Sequence, residues 1–354
     1  MWLPETAVDL ETLSILSKNG IKFVVLSPNQ ADKVRPINSD HEWTSVRGGR
    51  IDPAQAYRLK TSDNNEINIF FFDKNISYDV AFSINGIFNS HENFIRRLQD
   101  AQGYPSNHEK LIHFATDGET FGHHHKHSLG PLTTSLDILD SKAKDWYGLE
   151  LCNYSLFLEK NPPRYEVQII ENTAWSCEHN LGRWGQKERT DCNCGPVWDS
   201  KWRYQLREAF DYLKQEVDKA FTEIGSHFLK NPLEAKDDYT AVVNNIKPLG
   251  DFLDTHVHSK LSSNNINTIH KLLEMQKFSE LMYTSCAWFH DDIRRTEPFT
   301  SLLCAKTTIE LLKELAPNKK IEEEFINMLE RIQFGNKEAL HVYNKATEIV
   351  KSYK

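Results

Sequence analysis

The sequence predicts an α/β layer or barrel followed by an α-helical region, with the change falling near residue 200. Two observations carry that expectation. Before the change, short β-rich runs alternate with amphipathic stretches, the pattern of strands joined by helices. After it, Trp202, Leu206, Phe210, Leu213, Val217, Phe221, Ile224 and Phe228 recur at steps of three or four. That is one apolar stripe along about seven helical turns.

The strand runs are 21–26, 67–72, 111–115 and 165–170, each dense in Val, Ile, Phe or Leu. Helical patterns fall at 9–17, 94–100 and 133–146, and Gly20 punctuates the passage into the first strand run. In the second half, helices are expected at 269–283, at 302–315 (stopped by Pro317) and at 321–334 (stopped by Gly335). The domain expectation is therefore an α/β part over 1–200 and a helical part over 201–354.

Composition excludes several functions. The 42 Lys and Arg against 50 Asp and Glu give a net charge of −8, whereas a general nucleic-acid binder needs surplus cations against phosphate. No apolar stretch approaches the ~20 residues that span a bilayer, so no membrane partner is expected. Met1 to Glu5 shows neither a basic nor an apolar leader region. Six cysteines in 354 residues are too sparse for a disulfide scaffold, so Cys152, Cys286 and Cys304 read as reduced core residues and the expected location is cytoplasmic.

Three segments concentrate chemistry. In Asp117-Gly118-Glu119-Thr120-Phe121-Gly122-His123-His124-His125, ionisable groups follow directly on a strand run, where loops of an α/β fold converge on a pocket. Gly118 and Gly122 would turn the backbone sharply and leave Glu119 facing that pocket. His123, His125 and His127 could present imidazoles to zinc, or form a polar helix start. The second segment holds Trp175, Cys177, His179, Arg183, Trp184, Cys192 and Cys194. Its Cys-x-His and Cys-x-Cys lack zinc-ribbon spacing. The other readings are a sugar cleft, with Trp175 and Trp184 as flat faces and His179 and Arg183 as hydrogen-bonding groups, or a loop pinned by buried tryptophans. The third runs Ala287-Trp288-Phe289-His290-Asp291-Asp292, where paired carboxylates could supply one member of a catalytic pair or cap a helix.

Taken together and in order, these pieces resemble glycoside hydrolase family 57, and more narrowly its bacterial subgroup with an uncharacterised C-terminal domain. Trp2-Leu3-Pro4-Glu5 is similar to the family's W-L-P-E segment, and Asp117 to His123 to its D-G-E-x-F-G segment. Tyr57-Arg58, Phe71-Phe72-Asp73, Ala81-Phe82, Trp175-Ser176-Cys177 and Trp288 to Asp292 resemble subgroup signatures. The resemblance implies a (β/α)7-type barrel followed by a helical domain. It also implies retaining chemistry on an α-glucan (amylase, 4-α-glucanotransferase or branching type) without a cofactor or metal. Glu119 would be the nucleophile. Glu5, Trp2, Asp117, His123, Trp175, His179, Arg183, Trp184 and Trp288 would line the substrate site. Ala287 stands where better-known members carry the second catalytic aspartate, which leaves Asp291 or Asp292 as acid/base. The family's histidine-rich first segment has no counterpart before Trp2, so the barrel is expected to be incomplete at its N-terminus and the chain part of a longer enzyme. Two other readings are a metal-dependent hydrolase or deacetylase using His123, His125 and Asp117, and an inactive carbohydrate-binding fragment.

Overall fold

The fold is that of a computed structural model, which describes residues 1–38, 41–103, 108–141, 144–177, 181–184, 201–258, 261–317, 320–332 and 338–352. It divides into two compact units, Met1–Asn180 and Leu181–Lys354. The first unit is α/β and the second is helical.

The first unit runs α1 (Leu10–Lys18), β1 (Phe23–Leu26), β2 (Ala31–Pro36), β3 (Thr44–Ser45), β4 (Ala56–Lys60), β5 (Glu66–Phe71), α2 (Lys74–Phe82), α3 (His91–Asp100), α4 (Leu129–Asp140), α5 (Lys144–Tyr147), α6 (Tyr154–Lys160) and β6 (Tyr165–Ile169). Its sheet is mixed, in the order β1-β5-β4-β6-β2-β3. β1 pairs with β5 and β4 with β6 in parallel, whereas β4–β5, β2–β6 and β2–β3 are antiparallel. Among the described residues this sheet stays open, ending at β1 and β3, and Trp2 bridges Val25 in parallel on β1.

Side chains alternate across the strands because successive Cβ atoms point to opposite faces. Ile67, Ile69 and Phe71 of β5 join Val24, Leu26, Tyr57, Leu59, Val167 and Leu13 in one core. Phe70 and the adjoining Phe72 join Val25, Ala56, Leu111 and Phe157 in a second core on the opposite face. On β6, the buried Glu166 receives Arg35 of β2 and Arg58 of β4 in ion pairs of 2.7 and 3.2 Å. Burial would raise its pKa, but the bonds from Arg35 and the charge of Lys60 outweigh that and hold the carboxyl below its ordinary range.

One strand run behaves differently from its composition. Residues 111–115 are extended but enter no ladder. Leu111 N–H donates to Ala54 O, His113 O accepts from Asp73 N–H, and Ala115 N–H donates to Ser77 Oγ. The segment satisfies its backbone on a turn and on the first turn of α2, which a sheet edge would otherwise supply. The short charged strand β2 gave no strand signal in the sequence, since its residues stay half-buried.

The second unit is helical: α7 (Lys201–Gly225), α8 (Pro232–Val243), α9 (Leu249–His256), α10 (Ser263–Leu281), α11 (Cys286–Phe289), α12 (Thr296–Leu315), α13 (Ile321–Glu330) and α14 (Glu338–Ser352). The stripe read from the sequence is its centre. Trp202, Leu206, Phe210, Leu213, Val217 and Phe221 are fully buried against Leu272, Leu302, Ile309, Phe325 and Tyr343. Cys152 and Cys286, expected in a core, are instead exposed. Cys286 opens α11, where Ala287 and Trp288 turn inward, and Cys152 lies in an irregular stretch beside the exposed Leu151. Among the described residues, no helix is long and apolar enough to cross a membrane.

His113 is buried between two oxygens, with Nδ1 at 2.9 Å from the Tyr154 hydroxyl and Nε2 at 3.0 Å from Pro53 O. The carbonyl can only accept, so Nε2–H donates to it and the neutral ring accepts from Tyr154 at Nδ1. Burial lowers its proton affinity below the ordinary 6.5 despite nearby Asp73. The unfolded chain therefore takes up a proton that the folded chain refuses. This contribution to stability is complete above pH 6.5 and shrinks as pH falls below it. Thermal unfolding followed by circular dichroism should show the melting temperature dropping from pH 7 toward pH 5. His113→Gln should flatten that slope, and an unchanged slope would contradict the assignment.

Candidate active site

The residues that gather in the first unit start with Trp2-Leu3-Pro4-Glu5. Trp2 is held in place because Met1 O accepts from Val25 N–H at 3.2 Å. Its ring lies 6.2 Å from Phe72 and 5.1 Å from Trp175, and Phe72 and Trp175 are 5.9 Å apart. Three aromatic rings thus form one wall just past the C-terminal end of β5. Trp2 is 41% exposed, so part of the wall faces solvent and could meet a sugar ring.

Glu5 follows that wall in an unusual backbone state. It has φ 57° and ψ 13°, and Thr6 after it has φ 48°. Two successive non-glycine residues in the left-handed region cost about 1–2 kcal/mol each, so neighbours must impose the conformation. The imposing contacts are present. Trp175 N–H donates to Glu5 O at 3.0 Å, and Val8 bridges Thr173 in antiparallel fashion. Buried Gln30 donates from Nε2 to Thr6 O at 2.8 Å and to Thr173 O at 3.2 Å, while its Oε1 accepts from Ser27 N–H at 2.9 Å. The Ser176 hydroxyl donates to Glu5 Oε2 at 2.7 Å. A half-buried carboxylate is therefore aimed by both its main chain and its side chain.

The acidic turn is more than a hundred residues away along the chain but is tied to the same core. Ala115 packs against the core that contains Phe72 and Trp175, which brings the segment carrying Asp117 to the same end of the sheet. Thr120 is buried and shares a 2.7 Å hydrogen bond with Thr116, which fixes the short 3₁₀ turn Gly118–Thr120. Asp117 and Glu119 project from it into solvent. Gly122, with φ 92°, takes the left-handed turn expected of it, whereas Gly118 keeps an ordinary φ. His123 and His124 are exposed ring neighbours, and His125 points inward, with Nε2 2.8 Å from Ala81 O. Among the described residues no three His, Cys, Asp or Glu side chains stand together as metal ligands would, so His123, His125 and Asp117 do not form the triad the metal reading needs.

The remaining sequence candidates belong to the helical unit, and two are corrected. Trp288 is not a sugar platform: it is fully buried, donates Nε1–H to Arg203 O at 2.9 Å and packs edge-on to Phe210. Arg183 is likewise buried, donating to Phe289 O at 3.1 Å with its guanidinium 4.6 Å above the Phe289 ring. Trp184 is half-buried on the helical core and donates Nε1–H to Ser285 O at 3.2 Å. Arg183 and Trp184 pin the turn at 182–184 onto α11 and its N-cap. Asp292 is gripped by Arg294 through its side chain and its backbone N–H. Arg294 holds the Asp292 carboxyl below its ordinary range. Asp291 beside it is half-buried. His179, Cys192 and Cys194 lie outside the described residues.

Sequence reasoning placed Glu5 in the substrate site but gave no supporting role to Gln30 or Ser176. Gln30 lies in no motif and Ser176 was visible only as part of the Trp175-Ser176-Cys177 segment, and the three-dimensional pairing of 5–8 with 172–176 gives both their role. Gln30→Met keeps the size of that buried side chain but leaves Thr6 O and Ser27 N–H without their partner. A loss of about 2–4 kcal/mol in urea unfolding is expected, since each unsatisfied buried group costs ~1–3 kcal/mol. Activity should fall with it, and unchanged stability would show that Gln30 does not impose the turn.

Residues 1–170 match the model of glycosyl hydrolase family 57, and residues 198–348 match a domain of unknown function (DUF3536). A search of curated protein sequences finds no match. The structure is similar to an exo-type maltose-forming amylase from Pyrococcus sp. ST04, with a TM-score of 0.61 and 15% identity, over 98% of this chain and 64% of that one. A 4-α-glucanotransferase from Thermococcus litoralis aligns with a TM-score of 0.48 and 16% identity, over 89% of this chain and 42% of the other. This chain thus spans less than two thirds of the length of either. Trp2, Glu5, Phe72 and the acidic turn lie within residues 1–170, the part of the chain that matches glycosyl hydrolase family 57, Trp175 and Ser176 lie just beyond it, and the domain of unknown function is contained in the helical unit.

Proposed function

We propose that the chain is a retaining glycosidase or transglycosidase acting on α-glucans, with Glu5 as nucleophile and Asp117 as general acid/base. The observation that carries this reading is the fixed carboxylate of Glu5, held by Ser176 at 2.7 Å on a left-handed backbone beside the Trp2–Phe72–Trp175 wall. Backbone strain maintained by several hydrogen bonds is found where a side chain must be pre-aimed.

In this reading Glu5 attacks the anomeric carbon of a glucose unit resting on the wall. Asp117 delivers a proton to the departing glycosidic oxygen, and a glycosyl ester forms on Glu5. The Asp117 carboxylate then takes a proton from water or from a second sugar hydroxyl, which attacks the ester and releases the product. Retention requires the two carboxyl groups to stand about 5–5.5 Å apart.

The nucleophile thereby moves from Glu119, which the resemblance implied, to Glu5. Glu119 is exposed, and among the described residues nothing binds its carboxylate. Asp117 shares that exposure, but in-line attack demands a fixed carboxylate such as that of Glu5 more than proton transfer does. Asp117 is favoured as proton donor because it stands two residues from Ala115, which packs on the wall's own core. Asp292 is set aside because Arg294 favours its ionised form, whereas a general acid must keep its proton.

Maltooligosaccharide turnover by three variants tests these roles. Glu5→Gln should lower kcat by about 10⁴-fold or more. Asp117→Asn should lower it by about 10²–10⁴-fold. Glu119→Gln should stay within about tenfold of the unaltered chain. With an aryl glycoside and azide, the Glu5 variant should yield a β-glycosyl azide and the Asp117 variant an α-glycosyl azide. Loss of turnover confined to Glu119→Gln would return the nucleophile to that residue. Glucan binding without turnover by the unaltered chain would favour a binding protein.

A further inference from the structure

Helix α2 presents an exposed aromatic pair that neither the core nor the candidate site uses. Tyr78 is 57% exposed and Phe82 62%, one turn apart on the helix, with ring centroids 4.8 Å from each other. Exposing two large rings to water is unfavourable, since burying a side chain of this size is worth about 1.5–3 kcal/mol. No described side chain covers them.

Their position ties them to the candidate site. Asp73 caps the start of α2 and directly follows Phe72 of the aromatic wall. The segment that bears Asp117 and Glu119 is fastened to the same helix at two points. Ala115 N–H donates to Ser77 Oγ at 3.0 Å, and His125 Nε2 lies 2.8 Å from Ala81 O. Tyr78 and Phe82 are the residues immediately after those two anchors. The helix therefore starts beside the wall and is tied at two points to the segment of the acidic turn, and the exposed rings stand on that same helix.

We propose that Tyr78 and Phe82 form an outer glucan-binding ledge, on which sugar units of a long chain rest after leaving the catalytic wall. The inference rests on the reading of this site as one for α-glucans and adds to it a preference for long chains over short ones. The chemistry suits that occupant. Pyranose rings have apolar faces of C–H bonds that pack on aromatic rings, and their hydroxyls remain free to meet the exposed His123, His124 and Glu119 on the adjoining turn. A protein partner would need a larger apolar patch than one pair of rings.

The test uses the full chain and the double variant Tyr78→Ala with Phe82→Ala. Both side chains are more than half exposed, so the variant should fold as the unaltered chain does. Two measurements are made: KM for maltotriose and for maltoheptaose, and retardation of the native protein in gels containing amylopectin. The ledge predicts a KM for maltoheptaose raised by about tenfold, an unchanged KM for maltotriose and lost retardation. The single variant Tyr78→Trp should keep the unaltered behaviour. Equal loss on both oligosaccharides would overturn the proposal, because the pair would then belong to the catalytic subsites or to the fold. Unchanged values on both, with retardation kept, would overturn it as well. If the unaltered chain turns over neither oligosaccharide, the glycosidase reading fails. The gel then still decides the ledge, which stands if the double variant alone loses retardation and falls if both proteins migrate alike.

Discussion

The left-handed turn at Glu5 and Thr6 is the constraint on which the rest of the site depends. A glutamate and a β-branched threonine do not adopt this conformation unaided. They hold it because Gln30, Thr173 and Trp175 take up the backbone polar groups around them. Those three partners come from two stretches separated by more than a hundred residues. The first follows β1 and the other follows β6, so the sheet must be assembled before the turn can be held. Folding of the sheet and aiming of Glu5 are in this sense one event.

The same end of the sheet collects the other chemistry. Phe72 leaves β5 there, Ala115 packs there, and α2 begins there with its cap at Asp73. Residues 111–115 run extended without joining the ladder, which frees the following turn to carry Asp117 and Glu119 into solvent. The helical unit follows a different economy. Trp288, Arg183 and Trp184 use their polar atoms on backbone carbonyls within that unit, and Trp288 contributes a large buried ring to its core.

Much of the fold was legible in the sequence, for physical reasons that differ by element. The stripe from Trp202 to Phe221 fixed α7 because a long helix with one buried face must repeat its apolar residues every three or four positions. β1, β5 and β6 were legible because strands buried on both faces, or nearly so, read as continuous apolar runs. β2 was not, because Arg35 satisfies its charge on Glu166 of the neighbouring strand, a pairing that exists only in three dimensions. Of the site, Trp2, Glu5, Asp117 and Trp175 were legible as a resemblance of ordered motifs. Their ranking was not. The resemblance put Glu119, in the D-G-E turn, as nucleophile and Glu5, in the W-L-P-E segment, at the substrate site. The reversed ranking proposed above rests on the backbone conformation and hydrogen bonding of Glu5, which the motif does not encode. Trp288 misled for the complementary reason, since an aromatic residue beside two aspartates suits a sugar cleft and a capped helix equally well.

The central claim is that Glu5 carries the covalent step, and peptide mapping of a trapped intermediate tests it most directly. A 5-fluoro-α-glucosyl fluoride supplies a good leaving group and slows hydrolysis of the glycosyl ester, so a retaining enzyme accumulates the adduct. After proteolysis at acidic pH, mass spectrometry should find one added fluoroglucosyl group, on the N-terminal peptide that contains Glu5. An adduct on the peptide that contains Glu119 would contradict the account.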